Sequence, residues 1–287
     1  MTFSIVARLD GGIPGVAGPA WGVAVASKFL AAGAVVPGAW AGVGAVATQA
    51  FANVRYLPEG RALLAEGASA AEVLAFLTSA DDLAEQRQAG VVDAMGGSSS
   101  FTGSDCFAWA GGVTGDGVAV QGNTLAGPQV VAAMYAAWLE SGQSTPLSRR
   151  LLAAITAGDR AGGDRRGRQS AALLVVGAGA GYGGGSDVAV DLRVDDHADP
   201  VIELARLLDI HELLFGHPES TLPLEGATTE RLRRALDALG FRDPDLQQAL
   251  EDAAGIENLE ERLVPGAVDP VVLAHLERLA ATKDGGT

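Results

Sequence analysis

Lysine is almost missing from this chain. Lys28 and Lys283 are the only two among 20 basic residues, set against 35 acids. The formal net charge is −15, which argues against any binding driven by nucleic-acid phosphates or an anionic membrane surface. Cysteine is down to one residue, Cys106, which excludes an intrachain disulfide and every cysteine-based metal cage. No apolar run approaches the roughly 18 residues of a membrane span. The stretch 29–49 comes closest, but Pro37 breaks it and it is mostly Ala and Gly. The first residues carry neither a basic segment nor a long apolar one, so no signal peptide is expected and the expected setting is cytoplasmic. What the 287 residues do hold is glycine: 39 in all, 32 of them before residue 199. No Gly-x-y repeat accompanies it, so collagen is out. At 48% hydrophobic, the chain can bury a sizeable core.

Residues 2–8 alternate, with Thr2, Ser4 and Val6 on one side and Phe3, Ile5 and Ala7 on the other. The pattern predicts a half-buried strand. A glycine turn follows, and 21–27 reads as the returning strand. Short strands are expected at 33–36 and 42–48, and a helix at 59–66. Ser69 and Glu72 form a capping box before the next helix, and a further short one is expected at 81–88. Strands return at 90–95, 98–102 and 117–121. Helices at 128–141 and 146–157 precede strands at 170–176 and 188–194. This order is not the strand–helix alternation of a doubly wound sheet. It predicts an α+β protein with two antiparallel sheets and helices on their outer faces.

Near residue 199 the composition changes. Residues 199–287 carry 18 acids, 8 bases and only seven glycines. Helix 200–215 closes a first domain over 1–216. Gly216, Pro218 and Pro223 mark a linker, and a small all-α module occupies 225–285. Thr228 or Thr229 is the expected cap of its first helix, Asp245 starts the second, and Asp269-Pro270 the last.

The residue most open to chemistry is Thr2. Threonine is small enough to permit removal of the initiator methionine, which would leave its hydroxyl beside a free α-amine. That amine has an ordinary pKa of about 7.7–8.0 and can act as base for its own hydroxyl. Position alone is weak evidence, since Thr and Ser are common at position 2 for processing reasons. Lys28 at the end of the returning strand can add positive charge near Thr2, or be a plain surface lysine. The segment 162–170 is polar and leads into an apolar strand. It can project Asp164, Arg166, Gln169 and Ser170 into one site, or be a solvated turn. Asp105 is a further candidate for the Thr2 site.

Several blocks resemble the DUF1028 family. They are Thr2–Arg8, Trp21–Phe29, Gly44–Asn53, Gly90–Asp93, Phe101–Gly103, Val120–Asn123, Gly163–Ser170 and Val190–His197. The likeness covers roughly residues 1–215 and places the chain in a branch of the Ntn-hydrolase superfamily. It implies a four-layer αββα sandwich and an amidohydrolase whose N-terminal Thr, Ser or Cys attacks an amide carbonyl. Thr2 matches the nucleophile, and Lys28 the strand-end lysine of proteasome-like relatives. Asn53, Gln121, Asn123, Gln169 and Ser170 are the candidates for holding the oxyanion. Asp164, Arg165 and Arg166, with Asn53, are the substrate-binding candidates, and the arginines point to an anionic group on a small amide. Many superfamily members cut a propeptide, whereas this chain would need only Met1 removed. No cofactor or metal is expected. The alternative is a non-catalytic small-molecule-binding or scaffold protein on the same fold.

Three features promise more than they deliver. Gly179–Gly184 matches G-x-G-x-x-G, but a strand and not a helix follows, which removes the nucleotide reading. Asp195, Asp196, His197 and Asp199 alternate sides on an extended chain, so all four cannot converge on a metal. Cys106 beside aromatic residues reads as packing. In the module, Phe241–Leu250 and Gly255–Arg262 resemble a peptidoglycan-binding-like helical domain. Structural packing or homodimer formation is an equal reading of that part.

Overall fold

The computed structural model describes residues 2–284. The chain divides into two compact units, one up to Leu207 and one from Leu208 onward. Among the described residues there are eight α-helices and three antiparallel sheets, an α+β architecture.

The first unit is built on two larger sheets. The six-stranded sheet contains β1 (Thr2–Asp10), β2 (Pro19–Ser27), β7 (Gly111–Gly115), β8 (Val118–Asn123), β9 (Ser170–Gly177) and β10 (Val188–Val194). Its order is β10-β9-β2-β1-β8-β7. The four-stranded sheet contains β3 (Pro37–Trp40), β4 (Gly44–Ala50), β5 (Arg87–Asp93) and β6 (Ser98–Thr102) in sequential order. Helices α3 (Gln129–Glu140) and α4 (Leu147–Arg160) pack on the larger sheet, and α1 (Tyr56–Ala65) and α2 (Ala70–Ser79) on the smaller.

Strand periodicity explains the arrangement. Alternate residues Val6, Val23, Val25, Ala45, Ala47 and Val92 meet between the sheets as one apolar cluster. The intervening residues Val46, Ala89 and Val91 face α1 and α2 in another. Strand β1 is therefore covered on both faces, not half-buried: residues 2–7 are all buried. The exception to apolar filling lies at the Thr2 end. There the residues that alternation sends between the sheets are Thr2, Ser4, Ser27, Gln49, Gln88, Gln121 and Asn123, every one of them buried. Gly90 lets this happen. A Cβ on it would stand 2.2 Å from Gln121 Oε1, so the Gln121 amide lies flat against the facing strand.

Several elements differ from the sequence expectation. The strand expected at 33–36 is a 3₁₀ turn over Ala32–Ala34, and pairing starts at Pro37. Residues 81–88 hold only a 3₁₀ turn at Ala84–Gln86 before β5 begins at Arg87. Strand β7 went unpredicted because Gly111, Gly112 and Gly115 leave it little apolar pattern. The Ser69–Glu72 capping box is present with both of its bonds.

The unit division falls inside α5 (Pro200–Phe215), because Leu213 and Leu214 pack against the second unit's core. That core joins α6 (Gly226–Leu239), α7 (Leu246–Glu257) and α8 (Pro270–Asp284) through Leu232, Leu236, Leu250, Leu273 and Leu276. A two-residue sheet pairs β11 (Leu222–Pro223) with β12 (Ala267–Val268). Helix α6 starts at Gly226, so neither Thr228 nor Thr229 caps it. Asp245 and Asp269 accept backbone N–H bonds at the starts of α7 and α8. Arg262 is buried against Asp269 and the carbonyls of Glu212 and Leu213.

Gly22 sets the distance between β2 and α4. A Cβ there would lie 2.6 Å from Leu151 Cδ1 and 2.8 Å from the Leu174 carbonyl oxygen, which belongs to the paired strand and cannot move aside. Gly22→Ala is expected to lower unfolding free energy by about 1–3 kcal/mol in denaturant titration, the cost of overpacking a filled core.

Candidate functional site

Strand β1 sits between β2 and β8, and its register places Thr2 opposite both Ser27 and Asn123. The Thr2 side chain is buried, and its Oγ1 lies 3.0 Å from Ser27 Oγ in a hydrogen bond. Two carboxamides reach its carbonyl oxygen: Gln49 Nε2 at 3.3 Å and Asn123 Nδ2 at 3.4 Å. Both also donate to Gln88 Oε1, at 2.8 Å and 2.9 Å. One layer below, Gln121 Nε2 donates to Ser4 Oγ at 2.7 Å. A buried hydroxyl therefore stands at the end of a central strand, with its backbone held by matched amides. Met1 lies outside the described residues.

Of the residues singled out in the sequence, Thr2 and Asn123 are brought together by a hydrogen bond. Asp164 stands nearby but is engaged: its carboxylate accepts from the Lys28 backbone N–H at 2.9 Å and takes both ends of the Arg166 guanidinium. Arg166 is thereby turned onto Asp164 instead of being left free as an anion clamp. Lys28 is exposed, one residue past Ser27, and its ammonium has no partner among the described residues. Arg165 is exposed, with its backbone N–H on the Thr124 carbonyl. Ser170 is fully buried and fastens the turn after β2, donating to the Phe29 carbonyl at 2.6 Å and accepting from the Ala32 N–H at 3.1 Å. Gln169 donates through its side chain to Asp196, and its backbone N–H meets the Ser27 carbonyl. Asp105 has an exposed carboxylate, and its backbone N–H binds the Glu85 carbonyl.

Asn53 belongs to a different cluster. Its Nδ2 donates to Asp81, which also accepts from Tyr56 Oη at 3.0 Å and Arg87 Nε at 2.9 Å. The Arg87 hydrogen bond holds the Asp81 carboxyl far below its ordinary range, and burial pushes the Tyr56 phenol above its own. This cluster ties α1 to the start of β5.

Among the described residues, no group of three or more His, Cys, Asp or Glu side chains could hold a metal ion. Asp199 is paired with Arg168, and His197 Nδ1 accepts from the Asp199 backbone N–H. No described helix is long and apolar enough to cross a membrane. Cys106 is half-buried, donates to the Arg87 carbonyl, and has its thiol pushed up in pKa by burial.

Two clefts open on the first unit, and Thr2 lines neither of them. One of about 550 Å³ is lined by Ser100, Thr102, Cys106 and Gly111, where β6 and β7 meet. Another of about 350 Å³ reaches Ser27 and is bordered by Asp159, Arg160, Asp164 and Arg168. Sequence reasoning missed Ser27, Gln49 and Gln88. Each carried a signal: a polar residue on the inward side of an otherwise apolar strand.

A family model described as "Family of unknown function (DUF1028)" matches residues 2–204. The chain belongs to the DUF1028 family. Protein SPO2555 from Silicibacter pomeroyi, a DUF1028 protein solved by crystallography, superposes with a TM-score of 0.64 at 28% identity. The match covers 81% of this chain and 94% of that one. No curated protein matches the chain. A second family model, described as "Putative peptidoglycan binding domain", matches residues 213–276. The DUF1028 match takes in the whole of the Thr2 cluster, while the second match falls wholly within the second unit.

The Asp81–Arg87 pair yields a stability prediction. Asp81→Asn leaves a buried guanidinium without its counter-charge and is expected to cost about 3–5 kcal/mol in denaturant unfolding. In the unchanged protein the carboxyl's folded pKa is depressed. The stability it contributes is thus complete above its unfolded pKa of about 3.9 and is lost as pH falls through the folded value. The variant should show a shallower acid limb in a pH titration of stability.

Proposed function

We propose that this DUF1028 protein is an N-terminal-nucleophile amidohydrolase, with Thr2 as nucleophile once Met1 is removed. The observation that carries the reading is the Thr2 hydroxyl. It is held by Ser27 Oγ at 3.0 Å, at the end of a strand flanked on both sides, with its own carbonyl gripped by two amides. Such a residue keeps hydroxyl and α-amine in one fixed relation, which the chemistry requires. Helices on sheet on sheet on helices, as the packing contacts run, fit the four-layer αββα sandwich of Ntn hydrolases.

In this mechanism Thr2 Oγ1 attacks the carbonyl carbon of an amide. The α-amine takes the hydroxyl proton, directly or through one water, and returns it to the leaving nitrogen as the C–N bond breaks. The acyl group is left as an ester on Thr2. Water, deprotonated by the same amine, hydrolyses the ester and restores the hydroxyl. Ser27 orients the hydroxyl before attack. Arg160, exposed at the rim of the cleft that reaches Ser27, supports a small amide with an anionic group as substrate.

Intact mass of protein from its native host is expected to be short by one methionine. In a screen of small amides, Thr2→Ala should reduce turnover at least about a thousandfold, as loss of a covalent nucleophile does, while keeping the unfolding midpoint. Thr2→Ser should retain part of the activity. Retained Met1, or no amide turnover by the unchanged protein, would move the reading to a non-catalytic binding protein, and full turnover by Thr2→Ala would rule out Thr2 as the nucleophile.

A further inference from the structure

Gln88 lies at the centre of the buried amide layer and is completely enclosed. Its Oε1 accepts from Gln49 Nε2 at 2.8 Å and Asn123 Nδ2 at 2.9 Å. Its Nε2 donates to the Gly122 carbonyl at 2.8 Å, Thr102 Oγ1 at 2.9 Å and the Gly111 carbonyl at 3.3 Å. Both lone pairs of the oxygen and both protons of the nitrogen are committed. Only one orientation satisfies these neighbours. Turned by half a rotation, the oxygen would face two carbonyl oxygens and the nitrogen two NH₂ groups.

That single orientation propagates. An acceptor at Gln88 Oε1 requires Gln49 and Asn123 to present their nitrogens, and those same nitrogens reach the Thr2 carbonyl. Beyond these two bonds the Gln49 amide reaches only the Gln121 carbonyl, at 3.4 Å, and its Oε1 is buried with no partner among the described residues. Gripping the Thr2 carbonyl limits rotation about the bond between Cα and the carbonyl carbon. The α-carbon, with its hydroxyl-bearing side chain and its nitrogen, is then aimed as one rigid unit.

We infer that Gln88 is the positioning residue of the Thr2 site: its carboxamide sets the orientation of Gln49 and Asn123 and, through them, the aim of the nucleophile. The inference rests on Thr2 being the nucleophile. Gln88 touches no reacting atom, so its removal should slow attack without altering which residue is attacked.

The experiment uses the full chain and a β-lactone probe, followed by intact mass. Thr2 Oγ1 attacks the lactone carbonyl, the ring C–O bond opens, and the ring oxygen leaves as a hydroxyl carrying the threonine proton. The whole probe mass is added to the protein. Wild type is expected to be acylated once, on Thr2. Gln88→Met keeps the length but removes every hydrogen bond, and acylation should slow by about tenfold or more. In Gln88→Glu only the protonated carboxyl offers an acceptor and a donor end together. Its rate relative to wild type should be near one at acid pH and fall as pH rises, a pH profile that lost packing alone would not produce. An unchanged rate in Gln88→Met overturns the inference while leaving the Thr2 reading intact. A wild type that keeps Met1, or is not acylated, sinks the Thr2 reading and the inference with it. Should Gln88→Met fail to fold, Thr102→Val serves as a control for the packing around Gln88. Thr102→Val leaves both Nε2 protons their carbonyl acceptors and should keep the wild-type rate, so the test then falls to Gln88→Glu, whose rate relative to wild type staying level as pH rises overturns the inference.

Discussion

A carboxamide carried between two apolar sheet faces costs about 2–7 kcal/mol unless its donors and acceptors are met. Three carboxamides, of Gln49, Gln88 and Asn123, occupy that space at one end of the first unit and largely satisfy each other. The rest of the arrangement hangs on this constraint. The strands must hold a register that brings Asn123 opposite Thr2, and the facing sheet must bring Gln88 and Gln49 across from them. A slip of one residue in any of these strands would send the amide to the opposite face and leave its partners unpaired. The polar layer therefore works as a registration device.

The sheets also divide their labour along their length. Away from Thr2 the interlayer is filled mostly by Val and Ala, whose small side chains bring the faces close, with Trp21 as the one large buried member. Close approach is what allows amides from opposite sheets to bond directly at the other end. Gly90 and Gly112 serve the same purpose, since a Cβ on either would collide with a polar side chain from the facing sheet. The high glycine content of the first unit, which looks like flexibility in the composition, is partly a packing requirement.

Charged residues singled out around the site follow another logic. Asp164 and Arg166 form a bidentate pair that also anchors the Lys28 backbone, so these polar side chains hold loops in place. Ser170 does the same for the turn after β2. Asn53 serves the Asp81–Arg87 pair instead of Thr2. In each case a side chain with plausible chemistry is consumed by a backbone group or a counter-charge, because buried polar groups must be paired.

Much of the architecture was legible in residue order. Alternation in 2–8, the Ser69–Glu72 box, the apolar runs at 170–176 and 188–194, and the change of composition near 199 all mark features that the structure contains. Periodicity and capping act over a few residues, so local sequence determines them. It also singled out Thr2, through its place after the initiator methionine, while Asn123 entered only through the family resemblance, as an oxyanion candidate. The partners Ser27, Gln49 and Gln88 come from three different strands, and Gln49 and Gln88 from the other sheet. Alternation can place such a glutamine on the inward face, but nothing local says that it meets a second glutamine there. Whether Lys28 and Arg166 point into a site or away from it likewise turns on pairing between distant segments. The elements and their inward faces belong to the sequence; which polar groups meet, and which are spent on holding the loops, was decided only when the two sheets closed on each other and every buried donor had to find an acceptor.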